Sequence, residues 1–163
     1  MSKKLRTRKV QSGFGYLLTP NQVQKYMLPL HMAVELLPVG LYQRDHANHA
    51  AMVINLIRVD AASRAPRVYE AVNEAAGTLS SIVARNKRTG KWGATSEELG
   101  AMRNAIRIMD QYMRTWTAQR LRVAAATADA INQQAKARGG KAFDEVGYST
   151  DAHGRVALEL KND

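Results

Sequence analysis

TSEELGAMRNAIRIMDQYMRTWTAQRLRVAAATADAINQQAKA, residues 95–137, decides the class of fold. It contains no proline and one glycine, Gly100, and its first half repeats apolar residues at Leu99, Met102, Ile106, Met109, Met113 and Trp116. Steps of three and four alternate through that set, so the six side chains form one stripe along an α-helix. A helix of about 40 residues is roughly 60 Å long, more than a core element of a compact domain of this size requires. The spacing therefore predicts a spine for other helices, a dimer seam, or both. Thr95 or Ser96 caps it, and Glu97 and Glu98 suit the positive end of its dipole. Beyond Trp116, Arg120 and Thr127 fall where the stripe should be apolar, so the second half is expected to project into solvent or to lie against a second copy. Arg138-Gly139-Gly140 stops the helix.

Upstream, Phe14 to Leu18 form a short apolar patch that ends at Thr19-Pro20, a cap followed by a proline suited to the first helical position. A first helix is expected over 20–37, broken or kinked at Pro29 and stopped at Pro38-Val39-Gly40. A second runs over 42–62, with Ala50, Val53, Ile54 and Ile57 at helical spacing and Ser63-Arg64-Ala65-Pro66 as its end. The third, 66–86, turns Val68, Val72, Ala75, Ala76, Leu79, Ile82 and Val83 inward, with Gly77 allowing close approach of a neighbour. Thr89-Gly90-Lys91-Trp92-Gly93-Ala94 is the loop into the long helix. The fold class is all-α: about four helices, three of them antiparallel and packed on the first half of a long last one. Residues 1–12 read as a basic flexible arm and 13–138 as the bundle domain. In the extension 139–163, Val156, Leu158 and Leu160 alternate after the turn Asp151-Ala152-His153-Gly154, which predicts a small hairpin or a disordered tail.

The chain has 163 residues, 24 Lys and Arg against 14 Asp and Glu, and no cysteine. One domain of this length buries an ordinary core without staples. The cysteine count removes disulfides, thiol catalysis and thiolate metal sites, and suits a cytoplasmic protein. No run has the character of a secretory leader or of a membrane span. A net charge of +10 attracts polyanions by long-range field and counterion release. Five of the cations, Lys3, Lys4, Arg6, Arg8 and Lys9, crowd the first ten residues without an acid. A second cluster, Arg85, Lys87, Arg88 and Lys91, precedes Trp92. A third, Arg103, Arg107, Arg114, Arg120 and Arg122, rides the long helix, opposed in that stretch only by Asp110.

The order of Gly15-Tyr16-Leu17-Leu18, Leu30-His31 with Ala33 and Gly40, Ala51-Met52-Val53-Ile54-Asn55, and Arg88-Thr89-Gly90-Lys91-Trp92 leading to Leu99, Ala105 and Met109-Asp110 resembles a family of small helical proteins encoded by bacteriophages, plasmids and other mobile elements of proteobacteria. The resemblance spans about residues 13–125 and consists mostly of helix-packing and loop positions. It implies a helical accessory protein, carries over no catalytic residue, and does not extend to 139–163.

No chemistry competes with the charge. His46 and His49 lie on nearly one helix face, with His31 within reach from the preceding helix, a set that suits zinc in principle. A metal site in a bundle draws on several glutamates, whereas the preceding helix offers only Glu35, so the histidines read as polar residues near a helix start and neither metal nor cofactor is expected. Gly13-Phe14-Gly15 lacks the third glycine and the setting of a nucleotide loop. No nucleophile stands beside a base, and the pairs Glu70/Glu74 and Glu97/Glu98 are accounted for by solvation and by the helix dipole, so no enzyme is expected. Met102, Met109 and Met113 read as core or dimer seam before they read as an adaptable binding surface. Trp92 reads as a plug of the bundle end before it reads as a platform for a base.

The sequence thus points to a non-enzymatic basic protein that binds DNA or RNA without sequence preference, through phosphate contacts. Its contacts would come from the arm, from Arg85, Lys87, Arg88, Lys91 and Trp92, and from Arg103, Arg107 and Arg114 on one side of the long helix. Two alternatives stand beside it: a module that binds or inhibits an acidic host protein, and a self-assembling structural component. Self-association is expected, most simply as a twofold dimer through the long helix or its extension, whereas a structural component would assemble without a fixed endpoint.

Overall fold

A computed structural model describes residues 15–137, as five helices: α1 (Pro20–Leu36), α2 (Arg44–Arg64), α3 (Pro66–Thr89), α4 (Ser96–Met113) and α5 (Ala118–Ala137). The arm and the extension, with its expected hairpin, lie outside the described residues. No helix among them is long and apolar enough to cross a membrane.

Local signals fix most of the helix ends. The Thr19 hydroxyl accepts the Gln22 N–H at 3.3 Å while the Gln22 side chain accepts the Thr19 N–H at 2.8 Å, so two otherwise orphaned donors are satisfied reciprocally. Thr95 and Glu98 repeat the arrangement at the start of α4, at 3.1 and 2.7 Å. Pro66 opens α3, and Gly90, with φ +71°, closes it through a 2.7 Å bond from its N–H to the Asn86 carbonyl. The expected break at Pro29 is absent: α1 runs on through it. Pro29 lies on the exposed side of the helix, whereas Met27, Leu30, Ala33 and Val34 are buried on either side of it, so packing of the inner face overrides the lost hydrogen bond.

Helices α1 to α4 form a ring in which α1 packs on α2 and α4, and α3 packs on the same two. The short connections make sequential neighbours antiparallel. Met102, Ile106, Met109, Met113 and Trp116 are fully buried inside this ring, and Leu99 packs partly against it. The stripe that raised the prospect of a dimer seam therefore faces the chain's own core. Val72, Ala75, Leu79 and Ile82 of α3 meet it there. Gly77 departs from expectation: a Cβ built there meets nothing within 4 Å, so no neighbour approaches closely enough to require glycine.

The long helix is divided. After α4, Thr115 and Trp116 donate to the carbonyls of Tyr112 and Met113, each at 3.0 Å, a tightened last turn. The chain then changes direction, and the Thr117 hydroxyl accepts the Arg120 N–H at 3.1 Å to cap α5. The cause lies elsewhere in the chain. Leu18 donates its N–H to the Trp116 carbonyl at 2.7 Å, Leu17 and Thr117 form an isolated antiparallel bridge, and Trp116 seals the end of the core. Helix α5 turns back along α2 rather than projecting into solvent, burying Ala124 and packing Leu121 and Ala125 against the core. The described residues thus hold five helices in place of about four with one long last helix.

Arg120, which interrupted the stripe, anchors this return. Its guanidinium donates to both carboxylate oxygens of buried Asp60 in α2 at 2.6 to 3.0 Å. Tyr112 donates to the same carboxylate at 2.8 Å, Arg64 stands 3.5 Å from it, and the Arg120 guanidinium also covers the Tyr112 and Trp116 rings. Burial, with the hydrogen bond to Asp60 adding to it, pushes the Tyr112 phenol up to about 12.

Candidate nucleic-acid interface

Two sets stand out among the basic residues once their partners are visible, while Arg122 is exposed on α5 without an ion pair among the described residues. Arg85 is committed inward: it forms a two-pronged pair with Glu98 at 2.7 and 2.9 Å and donates to the Gly93 carbonyl at 2.6 Å. That contact ties the end of α3 to the start of α4 and holds the Glu98 carboxyl below its ordinary range. Arg103 forms a similar fork with Glu35 of α1, at 2.7 and 2.8 Å, which holds that carboxyl low as well. Arg114 pairs with Asp110 at 3.0 Å. Asp110 is therefore not the lone acid against this stretch, because Glu35 and Asp60 reach it from α1 and α2. Arg107 is exposed, and among the described residues its guanidinium donates to the Asn104 side chain at 3.1 Å and forms no ion pair.

The second group surrounds Trp92. Lys87 and Arg88 occupy the last turn of α3, where cations suit the negative end of the helix dipole. Lys91 follows in a loop locked by Thr89, whose hydroxyl donates to the Arg85 carbonyl at 2.8 Å and accepts the Lys91 N–H at 3.3 Å. All three are exposed, and among the described residues none forms an ion pair. Trp92 is half-buried, with its ring 5.2 Å from that of buried Tyr42 and tilted by 60°. It closes the end of the bundle and leaves an edge on a cleft of about 150 Å³ that it shares with Arg44, Val83, Asn86 and Lys87. Burial raises the Tyr42 phenol well above its ordinary range, so it stays neutral beneath the cations.

Arg44 is a cation that the sequence pattern does not single out. It is the first residue of α2, the end where the dipole disfavours positive charge. A cation so placed is poorly explained by helix stability, and that mismatch is the signal that marks it. The arm residues Lys3, Lys4, Arg6, Arg8 and Lys9 lie outside the described residues.

The histidines are occupied separately. His46 accepts the Gln43 N–H through Nδ1 at 2.9 Å, His49 donates through Nε2 to the Tyr26 carbonyl at 3.1 Å, and His31 is exposed on α1. Among the described residues no group of three or more His, Asp or Glu side chains is placed to hold a metal ion. A larger cleft, of about 470 Å³, lies between α2 and α5 beside His49, Met52, Asp129 and Asn132.

No family model, curated protein or solved structure matches this chain.

Proposed function

We propose that this protein is a non-enzymatic, basic accessory protein of a phage or plasmid that binds nucleic acid through phosphate contacts. The observation that carries this reading is the charge left exposed. Arg44, Lys87, Arg88 and Lys91 share one end of the bundle without an ion-pair partner among the described residues, and five further cations stand in residues 1–10. Clustered cations held apart from carboxylates neutralise phosphates at small desolvation cost, and such binding is indifferent to sequence. Arg85, Arg103 and Arg114 drop out of the phosphate-binding set, because their carboxylates already satisfy them; Arg85 serves it by positioning the loop.

A second reading, docking on an acidic protein, draws on exposed Leu28 and Met32, one turn apart on α1, and Val39 and Leu41 just beyond it. The two readings separate in one titration: nuclease-treated protein against short single- and double-stranded DNA and RNA over a salt series, with a variant lacking residues 1–10. Saturable binding that falls steeply with salt and weakens in the variant supports phosphate binding. No binding at low salt ends that reading and leaves the protein-docking one.

A further inference from the structure

We propose that α5 is an exchangeable helix. In a dimer, residues 114–117 become helical, α4 and α5 join into one continuous helix, and the α5 of each protomer seats on the α2 of the other, with Arg120 reaching across to the other protomer's Asp60.

Four observations lead there. First, the ring of α1 to α4 closes without α5, which packs chiefly on α2. Its seat is defined at both ends: Arg120 on Asp60 near its start, and Asp129 and Asn132 beside Asn48 and Met52 further along. Because rising numbers in α5 meet falling numbers in α2, the two run antiparallel, and α4 with α5 forms a hairpin. Straightened, α5 extends about 30 Å beyond the end of the ring, which is the reach of a second bundle.

Second, nothing in the corner sequence forbids helix. Residues 101–137 contain neither glycine nor proline, Arg114 keeps helical angles of φ −63° and ψ −18°, and the Thr115 and Trp116 N–H groups already bond one residue short of the α-helical register. Apart from the local cap that the Thr117 hydroxyl gives the Arg120 N–H, the corner is held by contacts from outside itself, with Leu18 and with Asp60. Third, the closed corner leaves the Trp116 indole N–H buried without an acceptor among the described residues, a cost at the point that would rearrange. Fourth, Tyr16 and Leu17 lie beside the corner 93% and 62% exposed, an apolar surface where two crossing long helices would meet.

The occupant has to be a second copy, because the seat on α2 is shaped and charged for Arg120 and Ala124 of this same helix. The exchange is isologous and closes at two, and it is independent of the nucleic-acid reading.

The test uses charge reversal in the full chain. Asp60→Arg and Arg120→Asp each place like charges together in a monomer or a homodimer. Mixed, they restore an opposite pair at both seats only if α5 crosses between protomers. The variants are purified separately, given different isotopic masses, unfolded, refolded together and weighed by native mass spectrometry. The exchange predicts heterodimer well above the statistical share; dimers at the statistical share overturn it. A wild-type chain that stays monomeric at every concentration in light scattering also overturns it. Should the reversals fail to fold, Ala118→Pro decides. Proline fits the first position of α5 after the bridged Thr117 but cannot sit inside a continuous helix. The variant is expected to keep its helix content and remain monomeric, and a dimer that persists in it refutes the exchange.

Discussion

Asp60 shows how a single buried carboxylate organises distant parts of the chain. Arg120, Tyr112 and Arg64 converge on it from two other helices and from its own. Removing Arg120 breaks the shortest of these contacts but leaves Tyr112 and the 3.5 Å contact with Arg64 on Asp60, so the loss is up to about 3 kcal/mol, the lower end for breaking a buried pair. Arg120→Met is therefore expected to lose up to that much stability in chemical denaturation, although the apolar stem is kept. The same network sets a pH response. Folding holds the Tyr112 proton up to about pH 12, whereas the unfolded chain releases it near pH 10. Its contribution is thus complete below about pH 10 and is lost as the pH rises toward 12. Tyr112→Phe should flatten that alkaline decline, measured as unfolding free energy against pH, and an unchanged slope would remove Tyr112 from the account.

At the scale of elements, the legible features are those whose causes lie within a few residues. Thr19-Pro20, Pro66, Gly90 and the Thr95/Glu98 box mark helix ends because a side chain and a backbone group one turn apart settle them. The corner between α4 and α5 carries one local mark, the Thr117 cap, and is otherwise illegible for the opposite reason. Leu18, about 100 residues away in sequence, supplies its main-chain bond, and Asp60 supplies the charge that draws α5 back. Local propensity over 95–137 favours one helix; tertiary contacts divide it. Gly77 misleads in the other direction, since a small residue on an inward-facing helix suggests close packing and here has none. Gly77→Ala is accordingly expected to raise stability by about 0.5–1 kcal/mol through helix propensity, measured by denaturant midpoint. A loss would mean that a neighbour is closer than the structure places it.

Over the whole molecule, charge is legible as an amount and as clusters along the chain, but not as a surface. Glu35 lies 68 residues from Arg103 and Glu98 lies 13 from Arg85, so no local pattern announces that these arginines are occupied. What remains exposed without an ion pair among the described residues includes the cationic end around Trp92 together with Arg107 and Arg122, and residues 1–10 add five cations in sequence. The measurement that tests this division most directly is the salt dependence of duplex DNA binding for the full chain and two variants. The account predicts that the triple change Lys87→Ala, Arg88→Ala and Lys91→Ala lowers the slope of log affinity against log salt by about 2–3, near 0.9 for each phosphate that is no longer neutralised, while Arg103→Ala leaves it unchanged. An equal slope in the triple variant, or a decrease of the same size in Arg103→Ala, would contradict it.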